Sequence, residues 1–385
     1  MNFKFADRVD DLKASFIREV LKSTGKGGAI PLAAGNPSPD AFPSKDIHQI
    51  AAKILIESPA AALQYGVTEG YMPLREALRK DCNIRDDEDI IIVSGAQQGI
   101  DLAVKALCNE GEKIVCENPS FLGALSCFRA NMLEITGVSL TPDGMDINEL
   151  EQILKNTDIK ALYIIPNFQN PTGITTSEEK RRQIYDLACK YDFIIIEDDP
   201  YAELRYTGRN IPSIKTLDAD GRVIFCGSFS KTLSPGLRVG YVRANKEILQ
   251  KMVILKQSSD VHTSLLSQMI CHEFMTDYNF AAHKSELRAL YSKKMTVMLQ
   301  HLSKVFGNKV EINAPSGGLF VWVKLPAGTD AVKFCRAALD KGAAAVPSVP
   351  FLVHGDENIQ AIRLNFSTPS EDDLRKGIDI LGAAL

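Results

Sequence analysis

The chain has 385 residues, 45% hydrophobic and 24% charged, a composition of ordinary globular proteins that excludes disorder, collagen and coiled coil. Lys and Arg number 44 against 48 Asp and Glu, a formal charge of −4, so no basic surplus exists to neutralise a nucleic-acid backbone. No apolar run reaches the roughly 18–20 residues that span a bilayer, and the eight cysteines stand singly, without the spacing of a zinc site or a disulfide framework.

In chain order, the opening MNFKFADRVDDLK has no apolar leader and no small-residue cleavage site, so a cytoplasmic location is expected. Leu12, Phe16, Val20 and Leu21 share one face of a helix predicted over Asp11 to Ser23. A Gly/Pro-rich connector, GKGGAIPLAAGNPSPDAFP, follows and is expected to join two domains. From about residue 85, short apolar strands alternate with amphipathic helices: IIIV (90–93), KIVCE (113–117), MLEI (132–135), ALYIIP (161–166), FIIIED (193–198), VIFCG (223–227) and VGYVR (239–243). Continuous apolar runs predict strands covered on both faces, and their rhythm predicts an α/β fold. Its mostly parallel sheet is wrapped by helices, with the binding site at the carboxyl ends of the strands.

Thr176, with Glu179 three residues on, predicts a capping box opening a helix over Ser177 to Tyr191. After about residue 245 the pattern changes to long helices, including Ala281 to Val305. A strand in GGLFVWVKLP, a helix near 330–341, the strand IRLNF and a last helix then predict a smaller α+β domain. The predicted division is an N-terminal segment, 1–45, packing with the small domain, a large domain over 46–275 and the small domain over 276–385.

Four segments end strands in polar residues. In SGAQQG (94–99) a strand runs through Gly95 into a helix, whose free N–H groups could cradle an anion; a plain strand-to-helix turn is the alternative. YIIPNFQNPTG (163–173) stops at Asn167 and Asn170, and FIIIEDDPY (193–201) stops at Glu197, Asp198 and Asp199, carboxylates that could hold a cation or cap a turn. A metal is disfavoured, because adjacent Asp198 and Asp199 point to opposite sides of an extended chain and no His accompanies them. In CGSFSKTLSPGLRVG (226–240), Ser228, Ser230 and Thr232 surround Lys231, with Arg238 seven residues on; the spacing is not that of a Walker loop. In IRLNFS, Ile362, Leu364 and Phe366 alternate with Arg363, Asn365 and Ser367, giving one core face and one polar face, with Arg363 able to offer a planar fork to a carboxylate.

SGAQQG, NPTG, EDDPY, SFSKTLSPGLR, GGLFVW and IRLNF occur in that order, and in this the chain resembles the fold-type-I aminotransferases of the class I/II group. These depend on pyridoxal phosphate, and the likeness, to 2-aminoadipate and multi-substrate aminotransferases in particular, runs from about residue 11 to the end. The resemblance implies a large cofactor-binding domain with a seven-stranded, mostly parallel sheet. It implies that Lys231 carries the cofactor as a Schiff base and moves the substrate Cα proton, and that Asp198 pairs with the protonated pyridine nitrogen. Asn170 and Tyr201 would hydrogen-bond the ring's phenolic oxygen. Gly95, Ala96, Gln97, Ser228 and Arg238 would surround the phosphate, and Ser230 would belong to the same cofactor cage. Phe121 would stack on the ring, where many relatives carry Tyr.

Tyr65, in LQYGVTEGY, resembles a tyrosine lent by a neighbouring subunit, which implies a homodimer with shared sites. Arg363 would grip the substrate α-carboxylate, with Asn170 and Gly35 against the substrate, and Arg18 either reads a distal carboxylate or is an exposed helix charge. The implied reaction is ping-pong amino transfer between an L-amino acid and a 2-oxo acid, with glutamate and 2-oxoglutarate as one pair. Carbon–sulfur lyases share the cofactor cage and are the alternative. Regulators that bind this cofactor carry an N-terminal helix-turn-helix, for which this reading leaves no room, and no GxGxxG follows a strand to suggest a nicotinamide enzyme.

Overall fold

The computed structural model describes residues 3–10, 28–355 and 358–385. The predicted helix over Asp11 to Ser23, and Arg18 with it, lie outside the described residues. The apolar runs form β1 (Glu88–Val93), β2 (Lys113–Asn118), β3 (Glu134–Thr141), β4 (Gly144–Met145), β5 (Ala161–Ile164), β6 (Ile194–Asp198), β7 (Val223–Ser228) and β8 (Gly240–Asn245). They make one sheet in the order β1-β8-β7-β6-β5-β2-β3-β4. β3, β2, β5, β6 and β7 run parallel, while β8 is antiparallel to both β7 and β1.

The sheet has eight strands where seven were expected. The eighth, β4, is a two-residue hairpin partner of β3, too short to leave a periodic signal. β3 itself begins two residues later than MLEI suggests and extends to Thr141.

Burial on both faces explains the unbroken apolar runs. Ile114 and Cys116 of β2 join a core with helices Ala96–Leu107 and Leu122–Ala130, whereas Val115 between them joins a second core with helices Ile147–Asn156 and Glu178–Tyr191. The last of these is capped by Ser177, whose side chain accepts from the Lys180 amide at 3.3 Å. Thr176 is not the cap but is buried, and residue 180 is a lysine, so no capping box forms.

A second sheet, β9 (Glu311–Asn313), β10 (Phe320–Lys324), β11 (Val346–Pro347) and β12 (Ala361–Asn365), is antiparallel in the order β11-β12-β10-β9. It packs with helices Phe280–Phe306, Ala331–Asp340 and Glu371–Gly382 in a core continuous with that of the large sheet. The polar face of β12 is not solvated: Arg363, Asn365 and Ser367 are all buried. The connector covers it. Ile30 bonds to Gly342 and Ala344, the Asn365 amide donates to Leu32 O at 2.7 Å, and Ser367 Oγ donates to Asn36 O at 2.7 Å. Among the described residues no helix is long and apolar enough to cross a membrane.

Candidate active site

The carboxyl ends of β1, β6 and β7 and the loop after β5 open on one cavity of about 340 Å³, closed from the far side by the connector, β10 and β12. Its lining brings together Gly35, Ala96, Gln97, Phe121, Asn170, Asp198, Tyr201, Ser228, Ser230, Lys231, Arg238 and Arg363. Every expected site residue is there except three. Gly95 stands just behind the lining, Tyr65 is 81% exposed and edge-on to His262 at 5.8 Å, and Arg18 is outside the described residues.

Asp198 ends β6 with its carboxylate turned into the cavity. Tyr163, on the neighbouring strand β5, donates to Oδ2 at 2.7 Å, while Oδ1 is buried without a partner. Burial pushes this carboxyl up to about 7; the Tyr163 hydrogen bond pulls it down, the charge of Asp199 pushes it up and Lys231 opposes that. Asp199 faces the other way, as an extended chain requires, accepting from Asn167 Nδ2 at 2.8 Å and from the Ala202 amide at 3.0 Å. No group of His, Cys, Asp and Glu among the described residues is arranged to hold a metal ion.

Lys231 donates to Gly35 O at 2.9 Å. Burial and the charges of Arg363 and Arg238 lower its amine to about 8, with Asp198 pulling the other way. A fraction of it is therefore neutral, and nucleophilic, near neutral pH.

Arg363 is 2% exposed and forms no salt bridge to a described residue. Its Nη1 donates to Asn170 Oδ1 at 2.9 Å, its Nη2 to Ala33 O at 2.7 Å, and its Nε is buried without a partner. The guanidinium lies 4.3 Å from the ring centre of Phe320 and 5.0 Å from that of Phe351. A dry cation held by neutral acceptors and aromatic faces is a receptor for an anion.

The fourth charged corner is built on glycine. Helix Ala96–Leu107 has no side-chain cap, and Gly95 before it adopts φ +85°, where a Cβ would collide with Arg238. Arg238 in turn donates to Ser94 O at 2.9 Å. Close by, Ser228 Oγ accepts from the Ser230 amide at 3.1 Å.

Pyridoxal phosphate fits these groups. An orphaned buried acid oxygen can meet a ring N–H, an uncapped helix start beside an arginine can meet a phosphate, and an amine between them can meet an aldehyde.

Several supporting residues escaped the sequence reading. Tyr163 holds Asp198; its signal was one polar-tipped residue inside an apolar run. Glu117, at the end of β2, accepts from the Ile165 amide at 2.9 Å and is pushed up to about 8 by burial. Gln169 donates to Pro119 O at 2.8 Å and accepts from the Thr172 amide and hydroxyl, fixing the loop that carries Asn170. Phe320, on β10 beside β12, and Phe351, in a turn outside the sheet, flank Arg363, and only the tertiary arrangement brings them there.

The family model described as "Aminotransferase class I and II" matches residues 28–381. An aromatic-amino-acid aminotransferase of Thermococcus litoralis is 38% identical over 391 aligned positions, covering 99% of this chain and 94% of that protein. The solved multiple-substrate aminotransferase of Thermococcus profundus superposes with a TM-score of 0.94 at 38% identity, covering 99% of this chain and 96% of that one. The alpha-aminoadipate aminotransferase of Thermus thermophilus, solved with N-(5'-phosphopyridoxyl)-L-leucine, gives 0.93 at 37% identity, covering 99% and 97%. Likeness of this extent, over nearly the whole chain, identifies the protein as a member of the class I and II aminotransferases, a pyridoxal-phosphate-dependent transaminase of fold type I.

Proposed function

We propose that amino transfer takes place in the cavity floored by Lys231, with L-glutamate and 2-oxoglutarate as one substrate pair. The observation that carries this reading is a half-satisfied buried acid, an amine lowered to about 8 and an unpaired buried guanidinium facing one cavity. When bound, pyridoxal phosphate supplies an aldehyde that takes up the substrate nitrogen and a cationic ring that draws off the electron pair left by the Cα proton.

Asp198 would hold the proton on the ring nitrogen, with Tyr163 fixing the orientation of its carboxylate. Asn170 and Tyr201 would hydrogen-bond the phenolic oxygen, and Phe121 would lie against the ring. The amides at Gly95, Ala96 and Gln97 would hold the phosphate with Ser228, Ser230 and Arg238. Lys231 would take the proton from the substrate Cα, a task suited to an amine poised near neutrality. Arg363 grips the α-carboxylate with its unused N–H groups beside Gly35, which fixes the direction of the Cα–H bond. Arg18 is assigned to a distal carboxylate; the likeness to an alpha-aminoadipate aminotransferase supports a dicarboxylic substrate.

The working unit in this reading is a homodimer, with Tyr65 reaching the phosphate of the partner site. Its support is an apolar surface around Tyr65, where Ile56, Leu63, Val67 and Met72 are all at least half exposed. The division into segments 1–45, 46–275 and 276–385 belongs to the same proposal, as does a cytoplasmic location, supported by eight free cysteines.

Given L-glutamate alone, the purified protein is expected to release one equivalent of 2-oxoglutarate per site and stop until a second 2-oxo acid is supplied. Ammonia and pyruvate from a sulfur amino acid, with no 2-oxoglutarate from glutamate, would favour a lyase. Arg363→Gln removes a charge-assisted fork, so KM for the amino acid should rise by about one to two orders of magnitude. Because Arg363 is one of the cations that depress Lys231, the same variant should move the midpoint for cofactor capture upward from near 8. An unchanged midpoint and KM would remove Arg363 from the site. Variants Tyr65→Ala and Lys231→Ala, each inactive alone, should recover activity when mixed and reassociated, because each mixed dimer carries one intact site. Failure to recover, with dimers re-formed, counts against the shared site.

A further inference from the structure

Beneath the turn that opens the phosphate cradle lies a buried cation. Lys256, in the last turn of helix Lys246–Ser259, is 0% exposed. Its amine meets Asp260 Oδ1 at 2.6 Å, and Gln98 Oε1 and Thr263 Oγ1 each at 3.2 Å. Three acceptors for three donors leave the ammonium fully satisfied.

The same groups converge on Ser94. Asp260 Oδ2 accepts from Ser94 Oγ at 2.8 Å, Thr263 Oγ1 lies 3.1 Å from that hydroxyl, and Gln98 Oε1 accepts from the Ser94 amide at 2.7 Å. The remaining polar atom, Ser94 O, accepts from Arg238. Every polar atom of the residue before Gly95 is therefore tied down, three of the four partners being linked through Lys256 or held by it. Next to Asp260, Val261 adopts φ +63°, a conformation that β-branched residues rarely take. The turn is held there by its surroundings, among them a hydrogen bond from the His262 amide to Asp260 O at 2.6 Å.

We propose that Lys256 is a positioning residue for the cofactor phosphate, acting through Asp260, Gln98 and Ser94 to hold the Ser94–Gly95 turn and Arg238 in place. It rests on the assignment of the phosphate to that turn. A buried ion pair fixes geometry closely, and removing one partner leaves the other charge uncompensated. Beyond any loss of stability, a positioning role predicts a loss in phosphate recognition that the ring and aldehyde do not share.

The test compares the affinity of the cofactor-free protein for pyridoxal phosphate and for pyridoxal, which has the same ring and aldehyde without the phosphate. The unchanged protein should strongly prefer pyridoxal phosphate; if it does not, the cradle assignment itself falls. Lys256→Met should lose about tenfold in affinity for pyridoxal phosphate, the scale of one buried hydrogen bond disrupted, and keep its affinity for pyridoxal. Ser94→Ala and Asp260→Asn, milder changes along the same path, should reduce the preference in the same direction and serve if Lys256→Met does not fold. A preference unchanged in the variants that fold, or equal losses for both ligands, overturns the role of Lys256.

Discussion

A carboxylate taken out of water and given only half of its hydrogen bonds is the constraint around which this site is organised. Asp198 has Tyr163 on one oxygen and nothing on the other. Leaving a buried charged group short of a partner costs several kcal/mol, and in the cofactor-free chain the acid answers by drifting toward protonation. In the proposed arrangement a ring nitrogen bearing a proton would reverse that drift, because the cation would supply the missing donor and the missing charge together. The oxygen stands aimed before the ligand arrives, so little reorganisation is spent when charge develops.

The other two charges follow the same logic on different elements. Lys231 is depressed partly by the charges of Arg363 and Arg238, and Arg363 is kept cationic with neutral acceptors alone. Both lean on the connector, Lys231 on the carbonyl of Gly35 and Arg363 on that of Ala33. A segment that reads as a mere link is thus a wall of the site, and it fastens the small sheet to the mouth of the large one. Backbone oxygens steady both cations, and aromatic faces and burial around Arg363 magnify the effect of its charge.

Much of this was legible in the chain. Apolar runs interrupted by Asn170, Asp198 and Ser228 announced strands that end at a site, because a polar residue at the end of a doubly covered strand must find a partner. Periodicity could not show that β8 reverses direction between β1 and β7, since alternation carries no polarity. The polar face of β12 was visible, yet its burial was not: that depends on residues 30–36 arriving from far away in sequence. Tyr163 and Glu117 were hidden inside the runs that revealed the strands. Lys256 had no local signal at all, because its meaning comes from three elements meeting at Ser94.

The pairing of Asp198 with the ring nitrogen is the claim on which the chemistry turns, and nitrogen-15 NMR of protein loaded with ring-labelled pyridoxal phosphate measures it directly. The expected resonance is that of a protonated pyridine nitrogen, persisting as the pH is raised through the neutral range and lost when Asp198 is replaced by Ala. An unprotonated nitrogen in the unaltered protein, or a protonated one indifferent to Asp198→Ala, would contradict it.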